Sequence, residues 1–176
     1  GSTTVVEQVL DREDVIVVSN PEFLREGSAV QDFLHPSRVV IGAEDRVGAE
    51  AVAALYEQIE APLLVTDPAS AETIKYAANA FLATKLSFVN AIAAVCEGVG
   101  ADVSDVMTGL GYDSRIGSEF LRPGPGWGGS CLPKDTRALI RIAEDAGYDF
   151  HFLQGVIEVN EEQFARVAAK VRRAAG

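Results

Sequence analysis

Asp67-Pro68-Ala69-Ser70-Ala71-Glu72-Thr73-Ile74-Lys75-Tyr76-Ala77-Ala78-Asn79-Ala80-Phe81-Leu82 divides the chain into two kinds of sequence. Aspartate followed by proline marks a helix start. The carboxylate accepts from first-turn amides, and proline at the first helical position gives up no bond the helix would have made. The run it opens meets no breaker until Gly98 or Gly100. At 1.5 Å per residue that predicts a helix of roughly 45 Å. Ile74, Phe81, Leu86, Phe88, Ile92 and Val95 lie on more than one face of it. A helix apolar most of the way round is covered on most sides, so a second copy of the same helix is an expected neighbour.

Before this helix the sequence reads as α/β. Residues 3–12 suggest a helix. Asp14-Val15-Ile16-Val17-Val18-Ser19 reads as a buried strand, Arg38-Val39-Val40-Ile41-Gly42 as a second, and Leu63-Leu64-Val65-Thr66 as a third. Short β-branched runs bounded by turn residues are the signature. Val47 to Ile59 has a helical period between the last two. After the long helix come helices only. Asp102 caps a short one that ends at Gly109, another runs from about Asp135 to Ala146, and a last from about Gln154 to Ala174. Val156, Val159, Phe164, Val167 and Val171 are expected on the inner side of that last helix. The fold class is therefore α+β: residues 1–67 form a small α/β part and residues 68–176 a helical domain.

Composition narrows the function. The chain has 176 residues, 48% hydrophobic, with 15 basic against 26 acidic side chains and a net charge of −11. A nucleic-acid or anionic-membrane surface is not expected of the protein as a whole. The two cysteines, Cys96 and Cys131, and the two histidines, His35 and His151, have no zinc-ligand spacing, so no metal is expected. Few cysteines and no signal peptide fit a reducing, cytoplasmic setting. Lys75, Asn79, Lys85, Asn90 and Glu97 interrupt the long apolar run, so it does not read as a membrane span. Gly1-Ser2 reads as an expression remnant, and the chain as a piece of a longer one.

The chemistry concentrates in Pro123-Gly124-Pro125-Gly126-Trp127-Gly128-Gly129-Ser130-Cys131-Leu132-Pro133-Lys134-Asp135. Glycine lets backbone approach a ligand, and proline stiffens what glycine loosens. Cys131 falls just before a helix start, where unpaired N–H groups and the dipole favour negative charge. The thiolate is the attacking form of cysteine. A lone cysteine is more often a small buried hydrophobe, which is the reading for Cys96. At Cys131 the glycine density, Lys134 and the helix start favour a nucleophile. A second candidate stretch, Asn20-Pro21-Glu22-Phe23-Leu24-Arg25-Glu26-Gly27, follows the first predicted strand, where ligands sit in open α/β sheets. One helical turn there would put Glu22 and Glu26 on one side; a solvated charged turn is the plainer alternative. Lys75 and Asn79, four apart, could serve an oxyanion or could be ordinary surface polar residues. No G-x-G-x-x-G follows a strand.

These stretches, with Lys75-Tyr76-Ala77-Ala78-Asn79-Ala80-Phe81-Leu82-Ala83 and Ser114-Arg115-Ile116-Gly117, resemble in order and spacing the UDP-glucose/GDP-mannose dehydrogenase family. The resemblance leans toward members that act on UDP-glucose. It covers nearly the whole chain but only the middle of such an enzyme: the tail of an NAD-binding Rossmann domain and a dimerising helical centre like the C-terminal domain of 6-phosphogluconate dehydrogenase. It implies oxidation of the sugar C6 alcohol to a carboxylate in two hydride transfers to NAD, as in UDP-glucuronate and polysaccharide biosynthesis. It assigns Cys131 as the nucleophile, in thiohemiacetal and thioester stages, beside the cofactor. Lys75 and Asn79 would stabilise oxyanions, Asp135 would support them, and Glu22 would be the general base. Glu26 and Lys134 would face the cofactor. Phe23, Leu24, Glu26, Arg122 and the Gly126-Trp127-Gly128 backbone would line the sugar-nucleotide path. Arg115 would reach a nucleotide sugar bound by the other subunit of a homodimer.

Three rival readings remain. The isolated chain could be a non-catalytic dimerisation core, which predicts no dehydrogenase activity from it alone. Cys131 could work with His35 or His151 in a cysteine hydrolase, although neither histidine has a supporting motif. The substrate could be GDP-mannose.

Overall fold

The computed structural model describes residues 2–176, and the chain folds as two compact units, Gly1–Lys75 and Tyr76–Gly176. In chain order the elements are α1 (Ser2–Leu10), α2 (Ala29–Leu34), β1 (Val39–Gly42), α3 (Arg46–Ala54), β2 (Leu63–Thr66), α4 (Pro68–Val99), α5 (Val103–Gly111), α6 (Cys131–Asp145) and α7 (His151–Ala175). A small parallel sheet with many helices is the α+β class the sequence predicts.

In the first unit β1 and β2 pair in parallel, Val39 opposite Leu63 through Gly42 opposite Thr66. All four residues of β1 are buried, whereas Leu63, Leu64 and Val65 of β2 are about half exposed. Between them α3 starts where Asp45 accepts from the amides of Val47 (2.7 Å) and Gly48 (3.1 Å). Ala49 and Val52 of α3 pack on Val39 and Ile41. The start of α4 is the one the Asp67-Pro68 pair predicts: Asp67 Oδ1 accepts from the Ser70 amide at 2.8 Å. Helix α1 docks there through Thr3, whose amide and hydroxyl both donate to Glu72 Oε1 (2.8 and 2.7 Å).

The predicted strand over Asp14–Ser19 does not form. A strand needs a ladder, and this run finds one bridge only, Ser19 with Gly42, closed by two backbone bonds of 2.8 and 2.7 Å. Val15 and Ile16 stay partly exposed. The helical turn over Glu22–Glu26 is also absent. The Arg25 amide is taken by Asp32 Oδ2 at 2.9 Å, and the chain turns at residues 26–28 into α2, which the sequence reading missed.

Gly42 ends β1 against the first turn of α4. A Cβ there would lie 2.5 Å from Ala71 Cβ, 2.8 Å from Pro68 Cα and 2.9 Å from the Asp67 carbonyl oxygen. Two of those neighbours are backbone and cannot rotate away. Gly42→Ala is expected to destabilise this unit by about 2–3 kcal/mol. Hydrogen exchange of the β1 amides should then accelerate roughly thirtyfold or more, and an unchanged rate would contradict the packing described.

In the second unit Ala80 and Ala83 of α4 pack with Trp127 and with Leu153 and Val156 of α7. Val89 packs separately with Met107 and Leu121. Helix α6 begins at Cys131, four residues earlier than the sequence predicts. Pro133 is accommodated in its first turn, where a missing N–H leaves no gap in the ladder. Gly147, at φ +80°, ends it as expected. Of the residues expected inward on α7, Val171 is 61% exposed and Phe164, which touches the Gly126 loop, is 47% exposed, and the buried positions are Leu153, Val156 and Asn160. The far end of α7 has too few neighbours to cover its last turns. A hollow of about 770 Å³ lies between α4 and α7, lined by Phe81, Phe88, Ile116, Leu121 and Phe152, with Arg115 and His151 at it.

Candidate active site

The predicted site residues fall into two groups, one in each unit. In the first unit Asn20 ties the Asn-Pro-Glu-Phe-Leu-Arg-Glu stretch to the sheet. Its Nδ2 donates to the Val40 carbonyl at 2.8 Å, and its Oδ1 accepts from the Tyr56 hydroxyl at 2.6 Å. That anchor sets Glu22 and Phe23 beside Lys75. The Lys75 ammonium donates to the Glu22 carbonyl oxygen (2.5 Å) and to Glu22 Oε1 (2.9 Å), while Glu22 Oε2 accepts from the Leu24 amide at 2.6 Å. Lys75 is largely covered, its side chain 16% exposed. The Phe23 ring has the Arg38 guanidinium over it at 3.7 Å and the Lys75 ammonium at 5.5 Å, so cation–π attraction gathers charge on this side chain. The sequence reading passed over Arg38; a cation four residues from a helix end next to a strand carries no motif. Arg25 closes the stretch on α2, and its guanidinium holds the Asp32 carboxyl well below the usual carboxylate range. Glu26 is exposed and Leu24 is 37% exposed.

In the second unit Cys131 is the first residue of α6 and half-buried, with its Sγ 3.6 Å from Ser130 Oγ. Asp135 follows one turn on, which places the two side chains on one face of the helix. Asp135 is wholly buried. It accepts from Asn79 Nδ2 at 2.5 Å and from the Lys134 ammonium. A buried carboxylate persists only with such partners. The hydrogen bond to Asp135 raises the Lys134 pKa above its ordinary value, outweighing desolvation. The structure thus brings together Cys131, Asp135, Asn79 and Lys134 here, and Glu22, Phe23 and Lys75 in the first unit. Arg122 is exposed, and Arg115 is exposed and paired with Asp113 at 2.6 Å.

Gly124, Gly126 and Gly129 satisfy a G-x-G-x-x-G spacing directly ahead of α6. Two amides of this loop are already engaged. The Gly124 amide donates to Asn90 Oδ1 (2.8 Å) and the Trp127 amide to Asn160 Oδ1 (2.7 Å). No such spacing follows β1 or β2. Trp127 is buried (5% exposed) with both backbone polar groups on Asn160. Asn160, Ser87, Asn90 and Gln163, which hold this loop, escaped the sequence reading. The signal was available: Asn160 sits on the Leu153–Val156 face of α7, where a buried polar residue needs a partner. The His151 ring contacts Asp149 (3.1 Å) and Gln154 (3.4 Å) and stands at the hollow beside α4. Among the described residues there is no cluster of side chains that could hold a metal ion.

Comparison with known proteins bears on the same two units. Residues 69–162 match the model of the central domain of the UDP-glucose/GDP-mannose dehydrogenase family, and residues 2–60 match that of the family's NAD binding domain. The UDP-glucose 6-dehydrogenase TuaD of Bacillus subtilis is 56% identical over 155 residues, 88% of this chain and 34% of that protein. The structure of a UDP-glucose dehydrogenase from the archaeon Pyrobaculum islandicum superposes with a TM-score of 0.87 at 44% identity, covering 92% of this chain and 39% of that one. The GDP-mannose dehydrogenase of Pseudomonas aeruginosa superposes at 0.61 with 33% identity, over 92% of this chain and 38% of that one. The chain thus spans a little over a third of the length of such relatives. Two family models, end to end along the chain, and the motifs they share with the geometry above make it a member of the UDP-glucose/GDP-mannose dehydrogenase family, whose cofactor is NAD.

Proposed function

We propose that this chain is the central part of a UDP-glucose 6-dehydrogenase, and that it carries the covalent half of the reaction: capture of a C6 aldehyde and release of the acid. One observation carries the reading. Cys131 opens α6 with a buried, doubly held Asp135 one turn behind it and Asn79 bonded to that carboxylate. NAD is the hydride acceptor of the family. The thiolate of Cys131 adds to the aldehyde carbon and forms a C–S bond, giving a thiohemiacetal. Loss of hydride from that carbon leaves a thioester. Water then adds, the C–S bond breaks, and the thiol returns as the carboxylate leaves.

Asn79 donates to the oxygen that becomes an oxyanion, a role the family resemblance also gives Lys75. Asp135 keeps the Asn79 amide turned, and Glu22 takes the proton of the attacking water. Glu26 and Lys134 serve the cofactor side. Phe23, Leu24, Arg122 and the Gly126 to Gly128 backbone line the sugar-nucleotide path. The working unit is a homodimer in the cytoplasm. Its interface covers the exposed Phe81, Phe88 and Val95 of α4, and Arg115 reaches the other subunit's substrate. GDP-mannose is the second substrate reading, favoured by the Pseudomonas aeruginosa likeness; both its identity and its TM-score are lower than those of the UDP-glucose enzyme.

The test is stoichiometric. An enzyme that carries this chain together with the family's other domains should form two NADH per UDP-glucose and none from GDP-mannose, and the isolated chain should form none from either. Preference for GDP-mannose would exchange the two substrate readings. Steady NADH from the isolated chain would refute the idea that it holds only the covalent half.

A further inference from the structure

Asn160 is 5% exposed on α7, on the face that also presents Leu153 and Val156 to the core. Its side-chain amide satisfies one residue's backbone twice. Oδ1 accepts from the Trp127 amide at 2.7 Å and Nδ2 donates to the Trp127 carbonyl at 2.9 Å. Three further bonds hold the same loop to α4 and α7. Asn90 Oδ1 accepts from the Gly124 amide (2.8 Å), Gln163 Nε2 donates to the Gly124 carbonyl (2.6 Å), and the Trp127 indole donates to Ser87 Oγ (2.8 Å). Ser87 in turn donates to the Val156 carbonyl at 2.8 Å. The fit is close at Gly126, which has φ +127°: a Cβ there would lie 2.6 Å from the Phe164 ring and 3.0 Å from Asn160 Oδ1.

Beyond this clamp the packing stops. Gly128 and Gly129 have nothing within 4 Å of where a Cβ would be, and Gly129 is at φ +79°. Only Gly128, Gly129 and Ser130 lie between Trp127 and the first residue of α6. Their course is set from its two ends, the Trp127 backbone and the head of the helix. We propose that Asn160 is a positioning residue for Cys131: it fixes the Trp127 backbone and through it the turn that presents the thiol at the N-terminus of α6. This rests on Cys131 being the nucleophile. Loss of either bond leaves a buried peptide group unsatisfied, and the loop then leaves its seat to find water.

The experiment measures iodoacetamide labelling of Cys131 by peptide mass spectrometry in this chain. It compares the parent with Asn160→Ala, Asn160→Asp and a packing control, Val89→Ala, in the separate cluster with Met107 and Leu121. Cys96, 4% exposed, reports unfolding in the same samples. Trp127, the lone tryptophan, reports loop release by its emission. The labelling rate reads how the turn ahead of α6 presents the Cys131 sulfur to the reagent, which depends on the turn being held. Both Asn160 variants should label Cys131 at a rate at least threefold different from the parent, with red-shifted emission and Cys96 unlabelled, while Val89→Ala matches the parent at Cys131. If Asn160→Ala unfolds, the aspartate variant carries the test, since it keeps the acceptor and loses only the donor. Parental labelling in folded Asn160→Asp, or an equal change in Val89→Ala, would overturn the proposal. In an enzyme that carries this chain, Asn160→Asp should lower kcat at least tenfold with KM for NAD unchanged. Turnover that survives Cys131→Ala would remove the functional reading and leave the labelling result standing, so the two failures are distinguishable.

Discussion

Alanine at position 131 is expected to stop the second oxidation in any enzyme built around this chain, lowering steady NADH formation by a factor on the order of 10³ or more. The size follows from the role proposed for the thiol. Without it the aldehyde has no covalent anchor, and no carbon in the site bears both a sulfur and the hydride that must leave. Asn79 and Asp135 remain bonded to each other and cannot substitute. Cys131 is half-buried and its side chain is small, so folding should survive the change. Cys96→Ala supplies the contrast: that thiol is buried on α4 and should affect stability alone. The measurement is NADH released per nucleotide sugar, together with mass spectrometry of the protein for a covalent sugar adduct. The parent should trap an adduct when hydrolysis is slowed, and the alanine variant should show none. Two NADH per sugar from Cys131→Ala would end the covalent scheme.

Trp127→Ala should be the most damaging packing change in the second unit, at about 3–5 kcal/mol. The ring is 5% exposed and packs with Ala80, Ala83, Leu153 and Val156 from two helices. Its removal opens a cavity and also takes the indole donor from Ser87. Trp127→Phe separates the two terms. It keeps most of the packing and loses the hydrogen bond, so it should cost roughly 1–2 kcal/mol. Urea unfolding followed by circular dichroism gives both values. If alanine costs no more than phenylalanine, the ring is not the keystone of this core.

How much of this was legible depends on where each signal originates. β2 and the start of α4 were read to the residue, because a short apolar run bounded by proline and an Asp-Pro cap are local signals. The strand over Asp14–Ser19 failed because strand formation is decided by the partner, and Gly42 offers that run one bridge pair. The head of α6 was placed late, at about Asp135, although a first-turn proline such as Pro133 costs a helix nothing. The inward face of α7 was misjudged for a related reason. Periodicity finds the stripe, but Val171 stays 61% exposed, and Phe164, set against the Gly126 backbone, stays 47% exposed. For the site, Cys131, Asp135 and Asn79 were named from motifs; Asn79 and Asp135 are hydrogen-bonded, and Cys131 stands one turn before that pair on α6. Asn160 was not named, because a polar residue on an apolar stripe reveals its purpose only when the loop it holds comes back from 33 positions away.

The hollow beside α4 has a calorimetric consequence. Phe81, Phe88 and Phe152 are each more than half exposed around a space of about 770 Å³. Whatever fills it takes hydrocarbon out of water, and the filling carries a negative heat-capacity change. Such contacts weaken on cooling. An assembly held there would loosen in the cold room and tighten at the temperature of the bench.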